Sequence, residues 1–278
     1  MSVITIDRAS PGPRPRAGAV AWGLVSAEFL KARKRRGLVA LTAILTVGAV
    51  VIAGAVLALL HAQDPAKYGP AGGLDNLANA AYILSSLGAV AAVLVGATMG
   101  AGDLQAGVFR DLVATGRPRL ALFAARIPGG LALLWPLVAA GWAAAAAGSV
   151  LLAGSHPRPG LAVMVQGGCW VLLAVTVVYL MALGLASLAG SRSATVGILL
   201  AWQLALTPPA LAVSNLGVLR EGLLTAALNR MIPAGLLPGA RPDPVSPAMS
   251  VTVAVAVIAA WAIIPLAAGA WRTYARDA

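Results

Sequence analysis

Long apolar runs alternate with short polar stretches along this chain. Six runs, at 38–60, 80–101, 127–153, 161–189, 194–214 and 249–270, reach the length of about 20 apolar residues that a helix needs to cross the hydrocarbon of a bilayer. None of the six contains Asp, Glu, Lys, Arg or His. The pattern predicts an all-α integral membrane fold of six transmembrane helices, with residues 19–278 forming a single six-span domain. Pro128, Pro136, Pro208, Pro209 and Pro265 fall inside the runs, which membrane helices tolerate where neighbours satisfy the freed carbonyls. Gly96 and Gly100 in the second run, and Ala186 and Gly190 in the fourth, have the small-xxx-small spacing that lets helices approach closely.

Two segments outside the runs carry structure of their own. Over 19–36, Trp22, Val25 and Phe29 recur at helical spacing opposite Ser26, Lys31 and Arg33, and the stretch ends in Lys34, Arg35 and Arg36. This is the pattern of a helix lying in the membrane interface; the plainer reading is an extension of the first span. Residues 215–248 are apolar enough to suggest a seventh span, but Arg220, Glu221 and Arg230 interrupt them. Each charge at mid-bilayer costs about 2.5–3.5 kcal/mol on insertion scales. The segment is therefore expected to form a broken helix on the outer face. Residues 1–18, with three Pro and three Arg among small residues, read as a disordered basic tail.

Composition agrees with the pattern. Apolar residues make up 60% of the chain and charged residues 10%, where a soluble domain carries about 25% charged residues. The net charge of +11 would suggest nucleic acid in a soluble protein. Here the basic residues lie between apolar runs, so they report topology instead. With the N-terminus placed inside, fifteen Lys and Arg fall on cytoplasmic segments and five on outer ones. Both termini are thus expected in the cytoplasm, with the chain in the cell membrane and in contact with lipid. No nucleic-acid partner is expected.

The chemistry that the chain lacks narrows its function. No Gly-Lys dipeptide occurs, so a phosphate loop of the Gly-x-x-x-x-Gly-Lys kind is excluded. There is no Gly-x-Ser-x-Gly elbow, and Cys169 is a lone cysteine. His61 and His156 lack metal-ligand spacing. No catalytic site, metal or cofactor is expected in this chain. Ion-coupled transporters usually hold ionisable groups at membrane depth, whereas these runs offer only neutral groups such as Gln166, Thr176, Gln203 and Thr207. Those groups either line a path or hydrogen-bond across helices.

The loop between the second and third runs is the most informative stretch. Leu104, Val108 and Leu112 recur every four residues, which predicts a helix over 102–115 with one apolar face. Asp103, Gly107 and Arg110 line another face, and Thr115–Arg119 breaks the helix. A solvated loop whose arginines merely set topology is the plainer reading. In layout the chain resembles the permease subunits of type-2 ABC exporters. In that family an interfacial helix with a Glu and basic residues precedes the first span, as Glu28, Lys31 and Arg33 do here, following Trp22 and preceding or flanking Phe29. The loop after the second span carries an acidic residue, a Gly four positions on, a basic position, a turn with Arg and a final basic residue. Asp103, Gly107, Arg110, Arg117-Pro118-Arg119 and Arg126 stand at those places.

The resemblance implies half of a transmembrane domain that pairs with a second permease copy or paralogue and with a separate nucleotide-binding ATPase subunit. The helix at 102–115 would be the coupling helix. Asp103, Leu104, Gly107, Val108, Arg110 and Leu112 would then be its contact residues, and ATP hydrolysis would occur in the partner. The alternatives are an ion-coupled secondary transporter and a non-transporting membrane assembly subunit.

Overall fold

The computed structural model describes residues 17–114, 116–236, 247 and 249–275. Residues 1–16 of the tail expected over 1–18, together with Arg241 and Arg276, lie outside the described residues, and Ala17 and Gly18 belong to the first helix. Helix α1 covers Ala17–Lys34. Six helices are long and apolar enough to cross a membrane: α2 (Arg36–Gln63), α3 (Leu74–Gln105), α5 (Arg119–Leu151), α6 (Leu161–Ala189), α7 (Arg192–Ala212) and α9 (Val251–Ala275). The short helix α4 (Phe109–Ala114) joins α3 to α5. A 3-10 segment, Ser214–Gly222, and helix α8, Leu224–Arg230, lie between α7 and α9. Even α7, with 21 residues, extends about 30 Å at 1.5 Å per residue, enough to cross a bilayer.

The spans agree with the apolar runs, but their ends do not. Helices α3 and α5 continue past the apolar run at the same end of the bundle, which carries Asp103 on α3 and Arg119 and Arg126 on α5 into regular helix. Hydropathy marks the hydrocarbon-length core, whereas backbone hydrogen bonding carries a helix on until a turn stops it. At Gly107 the backbone turns left-handed, with φ +71°. The Gly107 N–H donates to the Leu104 carbonyl and the Val108 N–H to that of Asp103, both at 3.1 Å, the paired bonds of a Schellman cap.

The core is built on α3 against α6, where the second run's glycines make the contact. A Cβ placed on Gly96 would lie 2.6 Å from the Tyr179 carbonyl oxygen, and one on Gly100 2.5 Å from that of Leu183. The matching small residues of α6 are Ala182 and Ala186, so the small-xxx-small face on α6 runs one turn earlier than the Ala186–Gly190 pair. A second close crossing brings Gly184 of α6 against the Pro265 backbone of α9, and Gly269 against the Gly184 backbone. Helices α2, α7 and α9 bury little of their length and expose side chains such as Ile52, Leu59, Ile198 and Ile264, as lipid-facing helices do.

The irregular segment after α7 is held by side-chain donors rather than by a seventh span; no further spanning helix exists among the described residues. The indole N–H of Trp261 donates to the Gly222 carbonyl, and that of Trp170 to the Leu228 carbonyl, both at 2.9 Å. Arg230 Nε donates to the Met249 carbonyl at 2.9 Å. The Gly222 and Met249 carbonyls lie at breaks in the helices and that of Leu228 in the last turn of α8, places where the regular helix ladder runs out and side-chain donors take over. His61 Nδ1 lies 2.7 Å from the Tyr68 carbonyl, and the His156 ring packs on Gly69 and Gly73. Both histidines brace the loops at the end of the bundle opposite α1.

Candidate functional site

Four charged side chains from three elements meet where α1 crosses the ends of α3 and α5. Lys31 Nζ lies 2.6 Å from Glu28 Oε1 and 3.0 Å from both oxygens of Asp103. Arg126 Nη2 donates to Asp103 Oδ2 at 3.0 Å, and its Nη1 to the Gly100 carbonyl at 3.1 Å. Arg126 is 1% exposed, Glu28 7% and Asp103 8%. Two acids and two bases balance, which a buried cluster requires because an uncompensated charge there is costly. Tyr179 on α6 extends the network by donating its hydroxyl to the Arg126 carbonyl at 2.6 Å.

Local sequence explains why α1 reaches this position. Glu28 and Ala32 lie one turn apart on α1 and are both buried, so they define the face that meets the bundle. Gly129 on α5 admits the contact: a Cβ there would lie 2.6 Å from Glu28 Cβ. Trp22 is 74% exposed, and Phe29 is half-buried against the core. Lys31 reaches inward to Glu28 and Asp103, while Arg33 is exposed. Hydrophobic spacing alone hid the inward face because its central residue is an acid.

The structure corrects the expected helix over 102–115. Asp103 and Leu104 belong to the last turn of α3, Gly107 is the left-handed cap residue, and Val108 lies in the connection. Arg110 and Leu112 belong to α4, with Arg110 exposed. Leu104, Val108 and Leu112 therefore do not share one helical face. Asp103 is also no surface contact, because α1 and α5 enclose it.

Burial raises the Glu28 carboxyl above its ordinary value of 4.5; hydrogen bonding to Lys31 and the Lys31 charge oppose this, Asp103 adds to it and Arg126 lowers it. The docked α1 thus holds a proton on Glu28 more tightly than a detached one. Docking is strengthened below the ordinary carboxyl value, and that contribution is lost as pH rises through the raised value. Thermal unfolding of the purified protein should show this as a gain in Tm on acidification from neutral pH toward the ordinary carboxyl value. The gain should shrink in Glu28→Gln; an unchanged gain would mean that other groups carry it.

The arrangement supplies no nucleophile or metal cage. Among the described residues no three His, Cys, Asp or Glu side chains gather as metal ligands. Its chemistry is mechanical: it fastens α1, the end of α3 and the start of α5 into one unit, and the short α4 projects from that unit. Arg126, counted among the topology charges and as the last basic residue of the loop pattern, is the residue that ties it together. No protein-family model matches the chain, and no curated protein matches it.

Proposed function

We propose that this chain is the permease subunit of an ATP-driven exporter of the type-2 ABC class. It would form half of a translocation pathway, with a second permease as its other half and a separate ATPase docked at the end that carries α1 and α4. Both termini then lie in the cytoplasm of a cell-membrane protein. The observation that supports this reading best is the ion-pair cluster. Exposed α4 is short and hangs between two long helices whose ends are fastened by Asp103 and Arg126. A push on α4 would pass to α3 and α5 together rather than be absorbed by a loose loop. An ion-coupled transporter would instead need an acid free to take an ion at membrane depth, and both oxygens of Asp103 are engaged.

The test uses α4 itself. Arg110→Glu reverses an exposed charge without touching the cluster, so the permease should reach the membrane at normal abundance. Copurification of the ATPase and substrate efflux should both fall about tenfold or more, as expected when a docking charge is made repulsive. Lys67→Glu, on an exposed loop at the other end of the bundle, should change neither. Retention of both activities in Arg110→Glu would reduce α4 to a topological connection.

A further inference from the structure

A cavity of about 410 Å³ opens between α3, α6, α7 and α8, remote from the ion-pair cluster. Tyr82, Leu204 and Pro208 are exposed at its mouth, and Ala81, Trp170 and Val178 are buried at its floor. Its volume falls in the range of small-molecule sites. No Asp, Glu, Lys, Arg or His lines it among the described residues.

One wall has hydrogen-bonding groups left over. Trp135, Trp142, Trp170 and Trp261 each place their indole N–H on a partner at 2.9 Å. Trp202 Nε1 and the Gln203 amide, adjacent on α7 and both on the cavity wall, make no hydrogen bond among the described residues. Both belong to the π-helical stretch Ala201–Leu206. Pro208 and Pro209, which offer no N–H to the turn before them, follow that stretch, and Thr207 Oγ1 donates back to the Trp202 carbonyl at 2.8 Å. Such π turns recur at functional sites. An unpaired amide within a membrane-length helix is costly unless something in the cavity pairs with it.

We propose that this cavity binds an uncharged amphiphile with an ester or hydroxyl head, of the neutral glycerolipid type. The ligand's oxygen accepts from Trp202 and exchanges hydrogen bonds with Gln203, while its chain leaves past Leu204 and Tyr82. A charged head is rejected because no counter-ion faces it, and burying an unpaired charge costs more than one hydrogen bond returns. The binding requires this chain alone, so it stands or falls separately from docking of an ATPase.

The test exposes the purified full chain in detergent to a diacylglycerol carrying a photoreactive diazirine in one acyl chain. A phosphatidic acid with the same labelled chain serves as the charged comparison. Crosslinks from the diacylglycerol should concentrate on 78–89, 201–208 and 224–229, the walls of the cavity, and should disappear with excess unlabelled diacylglycerol. Phosphatidic acid should not enrich there. Gln203→Leu and Trp202→Phe should each weaken the competed labelling about fivefold to tenfold, the effect of one lost hydrogen bond. The proposal is overturned by labelling spread evenly over the lipid-facing helices, by equal enrichment of phosphatidic acid, or by unchanged labelling in folded Gln203→Leu. The mapping on the unaltered chain decides the matter even where a variant fails to fold.

Discussion

Replacing Arg126 by Met should destabilise the protein by about 3–5 kcal/mol, the cost of removing one partner from a buried ion pair. The guanidinium is 1% exposed and makes bonds to Asp103 and to the Gly100 carbonyl. Met fills the space of the stem but leaves Asp103 with Lys31 alone and takes the side-chain donor Arg126 away from the Gly100 carbonyl, which keeps the Ser187 hydroxyl at 3.3 Å. The thermal midpoint in detergent should drop, and α1 should become accessible to trypsin, with Lys31, Arg33 and Lys34 as cleavage sites. Asp103→Asn in the same chain should recover part of the loss, because it removes the stranded negative charge. A double-mutant cycle with coupling near zero would show that the two side chains do not act as a pair.

This residue also shows what could and could not be read in the sequence. The six spans were legible because crossing hydrocarbon imposes a length and a composition on consecutive residues. The cluster was not legible, because its members lie far apart: Lys31 and Asp103 are 72 positions apart, and Asp103 and Arg126 are 23 apart. A count of charges by loop treats all of them alike as solvated topology markers. Trp22 and Phe29 mark α1 as a helix, but the face that meets the bundle centres on Glu28, and an amphipathic reading assigns every acid to water.

At Gly107 two local signals compete. A Gly following a long helical run is a common cap signal, and the repeat of Leu104, Val108 and Leu112 argued for continuing the helix through it. The left-handed turn won because the Asp103 and Leu104 carbonyls gain donors there. The glycine pairing of α3 with α6 was legible as spacing on each helix, although the partner register on α6 became plain only from the packing. The wall at Trp202 and Gln203 was visible only as two polar positions in an apolar run. Both lie in the π turn before Pro208, which no periodicity encodes.

Gly184→Val should have the other large effect, at the crossing of α6 and α9. The Gly184 position faces the Pro265 carbonyl carbon and oxygen and the Leu266 nitrogen, and Gly269 on α9 faces the Gly184 backbone in return. Backbone lies on both sides, so no side chain can rotate away, and a valine must push the two helices apart. Overpacking a tight core costs about 1–3 kcal/mol or more, and here it also opens the wider contact of α9 with α6. Membrane insertion should persist, because valine is apolar and each span inserts by its own hydropathy. The solubilised protein should lose its monodisperse peak and unfold at a lower temperature. Gly197→Val on α7 and Gly54→Val on α2 are the controls, since a Cβ at either position meets nothing within 4 Å. Both introduce the same β-branched residue into a spanning helix, so a fall in stability shared by all three would point to helix propensity rather than to the crossing of α6 and α9.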